Sequence, residues 1–238
     1  MRNYLIALAA FTLIIFFTFI NSSGGKNLTT PTYNESVYDL ELAALNRIEN
    51  RTREASVKVI NTDAFSHGSG TYILFHNEKV IFTAAHVVSD GDTHTILDSN
   101  GERVSAEVIY RDNDVDFAIL RPSEELSVRP FRFRVTKFSE RKLIGDRVIF
   151  SGYPSHHDLL TTRGEIIGVE AGSILIHSYA WLGSSGSCVF DNNGNFIGIL
   201  RALGVGEFLV PQLTEDMIYT TPYNSIDWSA ARSIVINK

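Results

Sequence analysis

Three short stretches of this sequence carry side chains able to do chemistry together. "FTAAHVV", residues 82–88, is an apolar run that ends in small residues and delivers His86. "DVDFAIL", residues 114–120, sets Asp116 at the mouth of an otherwise apolar run. "WLGSSGSC", residues 181–188, gathers Ser184, Ser185 and Ser187 around Gly183 and Gly186, just ahead of Cys188. An ionised carboxylate among apolar residues is costly unless a charged or hydrogen-bonding group meets it, and a histidine N–H would serve. A serine hydroxyl is a weak nucleophile at neutral pH and needs an adjacent base to take its proton during attack. The order His86, Asp116, Ser185, with spacings of 30 and 69 residues, supplies a base, an orienting acid and a nucleophile. Each stretch also has an ordinary reading, as a half-buried histidine after a strand or as a Gly/Ser turn. Asp114 and Ser187 therefore stay open as alternatives, whereas Cys188 begins an apolar run and reads as a small buried residue.

Side chains so far apart in sequence can meet only through the fold. From about residue 56, eleven short β-rich runs alternate with turn residues, from "SVKVI" at 56–60 to "FIGILRAL" at 196–203. Asn100-Gly101 and Asn193-Gly194 fall between apolar runs and mark hairpins. With no long helices between the runs, the pattern predicts an all-β barrel or sandwich architecture rather than a parallel sheet. Two flanking helices are expected. Val37, Leu40, Ala44, Leu45 and Ile48 recur at helical spacing within residues 36–55, and a C-terminal helix over 224–238 starts with Asn224 or Ser225 as its cap.

The chain has 238 residues, 44% of them hydrophobic, which suits one sizeable domain with an appendage. Its net charge of −6, with Lys and Arg scattered along the sequence, leaves no basic footprint for nucleic acid. A single cysteine excludes an intramolecular disulfide and any multi-cysteine metal site. The 7 histidines form no His-Glu-x-x-His pair, and adjacent His156 and His157 should diverge along an extended chain, so no metal or other cofactor is expected. Residues 4–20, "YLIALAAFTLIIFFTFI", carry no charge and span roughly 25 Å as a helix, at the short end of a bilayer core. Residues 1–20 thus read as a signal anchor or signal peptide, with Arg2 on the cytoplasmic side and the rest translocated. Residues 21–54 form a polar linker and the short amphipathic helix.

The stretches "TAAHVV", "DVDFAIL" and "GSSGS" resemble the motifs of trypsin-like serine peptidases, in the disulfide-free form of bacterial and viral members and the HtrA group. "HGSGTYI" at 67–73, "GYP" at 152–154 and "GEIIG" at 164–168 extend the likeness, which covers roughly residues 55–205. The resemblance implies two six-stranded antiparallel β-barrels within residues 55–223 and hydrolysis of peptide bonds in a protein or peptide substrate. It implies His86, Asp116 and Ser185 as the triad, because Gly183-Ser184-Ser185-Gly186 fits the family's Gly-x-Ser-Gly and Asp116 fits its Asp-Phe-Ala-Ile-Leu. Backbone N–H groups of Gly183 and Ser185 would form the oxyanion hole. Tyr179, Ala180, Trp181, Leu200, Arg201, Ala202 and Leu203 would line the pocket for the residue before the cleaved bond, with a small or apolar preference. Two departures matter. Ser184 stands where trypsin carries the Asp used in zymogen activation, and only 35 residues follow Leu203, too few for the PDZ domain of HtrA proteins.

Overall fold

The computed structural model describes residues 44–61, 66–135, 143–207 and 211–237. The expected membrane segment, residues 4–20, lies outside them, as does most of the linker. Among the described residues no helix is long and apolar enough to cross a membrane.

Strands β1 (Ser56–Asn61), β2 (Ser66–Phe75), β3 (Glu78–Thr83), β4 (Thr93–Leu97), β5 (Arg103–Asp112) and β6 (Phe117–Pro122) form the first barrel. They pair antiparallel in the order β1-β4-β5-β6-β3-β2, and a β1–β2 ladder closes the ring. A two-residue strand, β7 (Phe131–Arg132), adds to β2 in parallel. The second barrel closes as β10-β13-β12-β11-β8-β9. Its strands are β8 (Arg147–Gly152), β9 (Leu160–Glu170), β10 (Ser173–His177), β11 (Cys188–Asp191), β12 (Phe196–Glu207) and β13 (Pro211–Pro222). Both Asn-Gly pairs sit at hairpin turns, joining β4 to β5 and β11 to β12, with Gly101 and Gly194 at positive φ. The all-β, two-barrel expectation therefore holds. The eleven runs omit β7, which is too short to show a pattern, and β13, whose "PQLTEDMIYTTP" begins with proline and lacks apolar alternation.

Each barrel has its own apolar interior. One packs Val57, Tyr72, Ile81 and Leu120, and the other packs Val148, Phe150, Ile176 and Ile218. A third cluster lies between them and joins Phe75, Phe82 and Phe117 to Phe190, Phe196 and Ile199. The C-terminal helix α2 (Trp228–Ile236) covers that cluster through Ala231 and Val235. The Trp228 ring lies 4.9 to 5.9 Å from the rings of Phe75, Phe82, Phe117, Phe133 and Phe196. Its indole N–H donates to the Tyr223 carbonyl at 2.7 Å, so the one polar atom of the ring is satisfied. Truncating such a residue to alanine costs ~3–5 kcal/mol. The barrels are thus held by a shared aromatic core.

A side-chain cap sets the first residue of both described helices, and at the C-terminal one it overrides the expected start. Asp227, not Asn224 or Ser225, caps α2 by accepting from Ser229 and Ala230 N–H. Of the helix expected within 36–55, residues 36–43, with Val37 and Leu40, lie outside the described residues; the described part holds α1 (Arg47–Glu54), with Asn46 and Glu49 forming a reciprocal capping box and Ala44 and Leu45 preceding it. Its buried residues are Glu49 and Thr52 rather than an apolar stripe, although Ile48 packs on the shared core. Glu49, 1% exposed, is paired with Arg163 of β9, whose Nη2 donates to it at 2.9 Å. Hydrogen bonding to Arg163 is the chief reason its carboxyl stays below the usual glutamate range despite burial.

Candidate active site

Strand β3 ends in Thr83 and runs through Ala84 into a 3-10 turn, Ala85–Val88, that presents His86. Asp116 sits in the turn between β5 and β6, at φ 58°, one residue before the strand on which its apolar neighbours lie. That positive φ is uncommon for a non-glycine residue, and aspartate is among the types that tolerate it. The turn aims the carboxylate at the histidine twice over. Asp116 Oδ1 accepts from the His86 backbone N–H at 2.9 Å, and Oδ2 lies 2.8 Å from His86 Nδ1. Desolvation pushes the Asp116 carboxyl up, but the hydrogen bonds and charge of His86, with a smaller contribution from Arg201, outweigh it and hold the group below its ordinary value. Asp114 is exposed and its N–H donates to Asp112, so it takes no part in the pair.

The Gly/Ser loop lies between β10 and β11, on the second barrel, and the first barrel grips it through Ser69. Ser69 N–H donates to the Ser185 carbonyl at 2.7 Å. Its hydroxyl donates to the Gly183 carbonyl at 2.7 Å and accepts from Tyr153 N–H at 2.9 Å. Its own carbonyl accepts from the Thr83 hydroxyl at 2.7 Å, on the strand that leads to His86. All four polar functions of this fully buried residue are satisfied. Gly186, at φ +90°, must be glycine, because a Cβ there would overlap both the Ser69 carbonyl and the Thr83 hydroxyl. Gly183, at φ +95°, is also confined, since a Cβ there would stand 2.5 Å from the Tyr153 carbonyl and 2.7 Å from His67 Nε2.

Within the loop, Ser184 N–H donates to the Trp181 carbonyl, Ser187 N–H to the Ser184 carbonyl and Gly186 N–H to the Leu200 carbonyl. The buried Ser184 hydroxyl accepts from Trp181 N–H, which explains a short hydroxyl at that position. Among the described residues the N–H groups of Gly183 and Ser185 have no partner, so two donors of one turn remain free. The Ser185 hydroxyl makes only a 3.5 Å contact with the Arg201 carbonyl and no hydrogen bond to His86. A Cβ placed on Gly68 would lie 2.6 Å from the Val87 methyls and 3.0 Å from the Ser185 carbonyl, so the Val87 side chain, next to His86, and the Ser185 backbone flank one glycine. Ser187 and Cys188 are both fully buried. Burial pushes the Cys188 thiol up to about 12, which removes it as a thiolate nucleophile.

The family profile described as the trypsin-like peptidase domain matches residues 68–199, more than half of the chain. The chain belongs to this family. Among curated proteins it is 29% identical over 144 residues to a probable periplasmic serine endoprotease, DegP-like, of Bartonella henselae, covering 57% of this chain and 28% of that protein. It is 28% identical over 178 residues to the serine protease Do-like HtrA of Lactobacillus helveticus, covering 69% of this chain and 42% of that protein. The chain thus spans well under half the length of these relatives. Its fold is similar to the crystal structure of the serine endoprotease from Yersinia pestis, with a TM-score of 0.62 and 22% identity over 80% of this chain and 66% of the other. It also matches an inactive serine-to-alanine mutant of Rv3671c from M. tuberculosis H37Rv, with a TM-score of 0.62 and 19% identity over 79% and 90% of the two chains.

In this trypsin-like domain the residues expected at the pocket divide by position. Tyr179 is 44% exposed, Ala202 is exposed, and Trp181, Arg201 and Leu203 are half-buried, whereas Ala180 and Leu200 belong to the second barrel's core. His156 and His157 do not diverge as expected. The chain turns here, Ser155 has φ 51°, and their rings stack with centroids 4.7 Å apart. Sequence reasoning also passed over Ser69 and His67 as site residues. Their stretch "HGSGTYI" entered only as part of the family likeness, with no role given to either side chain.

Proposed function

We propose that this chain is a serine-type endopeptidase in which Ser185 attacks the peptide carbonyl, His86 moves the proton and Asp116 orients and stabilises the imidazole. The observation that carries the reading is the double attachment of Asp116 to His86, through backbone N–H and Nδ1 together, from a separate strand pair. With Nδ1–H committed to the carboxylate, Nε2 is the nitrogen left to accept the serine proton. Attack forms the Oγ–carbonyl bond, and the developing oxyanion takes the free N–H groups of Gly183 and Ser185. Collapse expels the amine with the proton from His86 and leaves an acyl-enzyme, which water hydrolyses by the same proton path in reverse. Tyr179, Trp181, Arg201, Ala202 and Leu203 border the substrate, with Ala180 and Leu200 beneath them, and the apolar members favour a small or apolar residue before the cleaved bond. Residues 4–20 hold the domain at a membrane, on the side away from the cytoplasm, or release it there if they are cleaved. The DegP-like relatives are named as periplasmic.

A fluorophosphonate probe applied to the full chain tests the nucleophile. Label on Ser185, abolished by Ser185→Ala, is the expected result. An unlabelled but folded protein would instead favour a non-catalytic peptide-binding module, a second reading that draws on the missing His86–Ser185 hydrogen bond. Catalytic hydrogen bonds often tighten only when substrate is bound, so that single feature weighs less than the Asp116–His86 pair.

A further inference from the structure

A cavity of about 680 Å³ opens where α1, the turn between β2 and β3, and the segment around β7 meet. None of the residues assigned above to catalysis or to the substrate lines it. Its walls carry Arg47, Arg51, Arg129, Arg132 and Arg134, with His76 beside them, and among the described residues no acidic side chain lines it. Two backbone periods bring these guanidinium groups together. Arg47 and Arg51 are four residues apart on α1 and so share a face. Arg132 and Arg134 alternate along an extended segment with Phe131 and Phe133, which turn the other way. Phe131 stacks on Phe190 at 4.2 Å, and Phe133 lies 4.9 Å from the Trp228 ring, so the arginines' neighbours anchor this wall in the aromatic core.

The two walls are fixed relative to each other. Arg51, itself paired with Glu54 of α1, spans them by donating from Nη2 to the Pro130 carbonyl at 2.9 Å, and Arg134 Nη2 ties the second wall to the β11–β12 turn through the Asn193 carbonyl at 3.3 Å. Arg47, Arg129 and Arg132 are exposed and have neither an ion pair nor a hydrogen bond among the described residues. The charge pattern is the reverse of the molecule's. A chain of net charge −6 places five of its 21 cationic side chains around one hollow. Like charges four residues apart on a helix oppose its formation, and although Arg51 is also paired with Glu54, Arg47, Arg129 and Arg132 bring like charge to the cavity with no partner of their own among the described residues. An anion entering it would remove that opposition and gain the forked donors that guanidinium groups present to oxyanions.

The size and charge density narrow the ligand. The volume lies within the ~300–1,000 Å³ typical of small-molecule pockets, below what a nucleic-acid duplex or a folded partner occupies. A carboxylate brings one negative charge, whereas a phosphoryl monoester brings up to about two on three oxygens. Several guanidinium groups in so small a space match the second. We infer that the arginine cavity binds a compact anion bearing two or more phosphoryl groups, supplied either as a free polyphosphorylated molecule or as a phospholipid headgroup. This inference does not depend on the peptidase reading.

The test is calorimetric titration of the full chain with inorganic tripolyphosphate at low salt, beside the triple variant R47Q/R129Q/R132Q. These three side chains make no hydrogen bond among the described residues, so the folded state should survive their replacement, and the unfolding midpoint is measured alongside. The expected result is saturable binding to the wild type, weakened at least about tenfold in the variant and by added salt. If the triple variant loses stability, Arg132→Gln alone is read in the same way. A second arm uses phosphatidylcholine vesicles with and without cardiolipin. Residues 4–20 are the same in both proteins, so a cardiolipin-dependent gain seen only with the wild type assigns the headgroup as source. Tripolyphosphate binding without that gain assigns a free anion. No saturable binding of tripolyphosphate, equal affinity in wild type and variant, or tighter binding of hexaglutamate than of tripolyphosphate would each overturn the inference.

Discussion

The imidazole side and the serine side of the candidate active site are built on opposite principles. On the first barrel, Asp116 and His86 are closed upon each other, with three short contacts between them. On the second barrel, the loop is fastened through its acceptors. The Gly183 and Ser185 carbonyls are taken by Ser69 and the Ser184 carbonyl by Ser187, while Gly183 and Ser185 N–H stay free. The Ser185 hydroxyl makes one contact of 3.5 Å. Under the proposed mechanism the difference follows from what each half must do. A charged pair has to be desolvated and oriented before substrate arrives, because leaving either member unpaired in a partly buried site is costly. Groups that receive the substrate must keep their donors uncommitted, and a turn can do so only if its carbonyls carry the load of holding it in place.

The comparison breaks most visibly at the proposed nucleophile. Ser185→Ala should lower kcat by up to ~10⁶, as removal of the nucleophile does in other triad hydrolases, with the unfolding midpoint unchanged. A loss smaller than about tenfold would move the chemistry to another residue. On the imidazole side, Asp116→Asn should lower kcat by ~10⁴, since an amide cannot hold the imidazole in the tautomer the reaction needs. Both are read from turnover of an unstructured protein substrate. Equal stability losses with little change in kcat would mean that the Asp116–His86 pair is structural.

How much of this was legible beforehand depends on the range of the forces involved. Strands whose apolar residues face a barrel interior are local patterns, and Asn-Gly turns are local chemistry, so the barrels could be anticipated. His86 and Asp116 stood out because each ends or begins an apolar run, where a polar residue needs a partner. Ser69 did not stand out. Its importance is four hydrogen bonds to residues 14, 84, 114 and 116 positions away, and no window of sequence contains them. The arginine cavity was hidden for the same reason. Arg47 and Arg132 look scattered in a chain of net charge −6, and their walls meet only in the fold, where Arg51 reaches the Pro130 carbonyl. The start of the C-terminal helix was misplaced because its cap, Asp227, is a single polar residue, and apolar periodicity is as blind to it as to the Asn46 cap of α1.

Ser69 is where the two halves are joined, so its variant sharpens the contrast at intermediate cost. Ser69→Ala keeps the backbone bond to Ser185 and the carbonyl that receives Thr83. It removes the hydroxyl between the Gly183 carbonyl and Tyr153 N–H. Leaving buried groups unsatisfied costs ~1–3 kcal/mol, and that loss should appear in the urea midpoint. If the loop needs its acceptors held to aim its donors, kcat should also fall, by ~10–100-fold, with KM little changed. An Asp116–His86 pair unaffected by the change, seen as an unaltered chemical shift of the imidazole, would confirm that the two halves are separable. A stability loss with full kcat would show that the free N–H groups are aimed without help from the first barrel.

The smallest effect belongs to His67, which touches the serine side from behind. Its Nε2 lies 3.0 Å from the Tyr153 carbonyl and faces Gly183. Burial lowers the His67 pKa, bonds to the Tyr153 and Ser155 backbone work against that, and the charge of Lys58 adds to the lowering. The unfolded chain therefore takes up this proton more readily than the folded one. Stability is at its full value above the ordinary imidazole pKa of ~6.5 and declines as pH falls from there toward the lowered folded value. Because the ring is only half-buried, solvent screening reduces the decline to a fraction of a kcal/mol. Urea midpoints at pH ~7.5 and ~5 should thus differ more in the wild type than in His67→Gln. Parallel declines in both proteins would shift the effect to His94, whose imidazole burial also lowers. The serine side would then be free of proton-linked support, and its ties to the first barrel would be the pH-independent ones through Ser69 and through the Thr71 hydroxyl that accepts from Cys188 N–H.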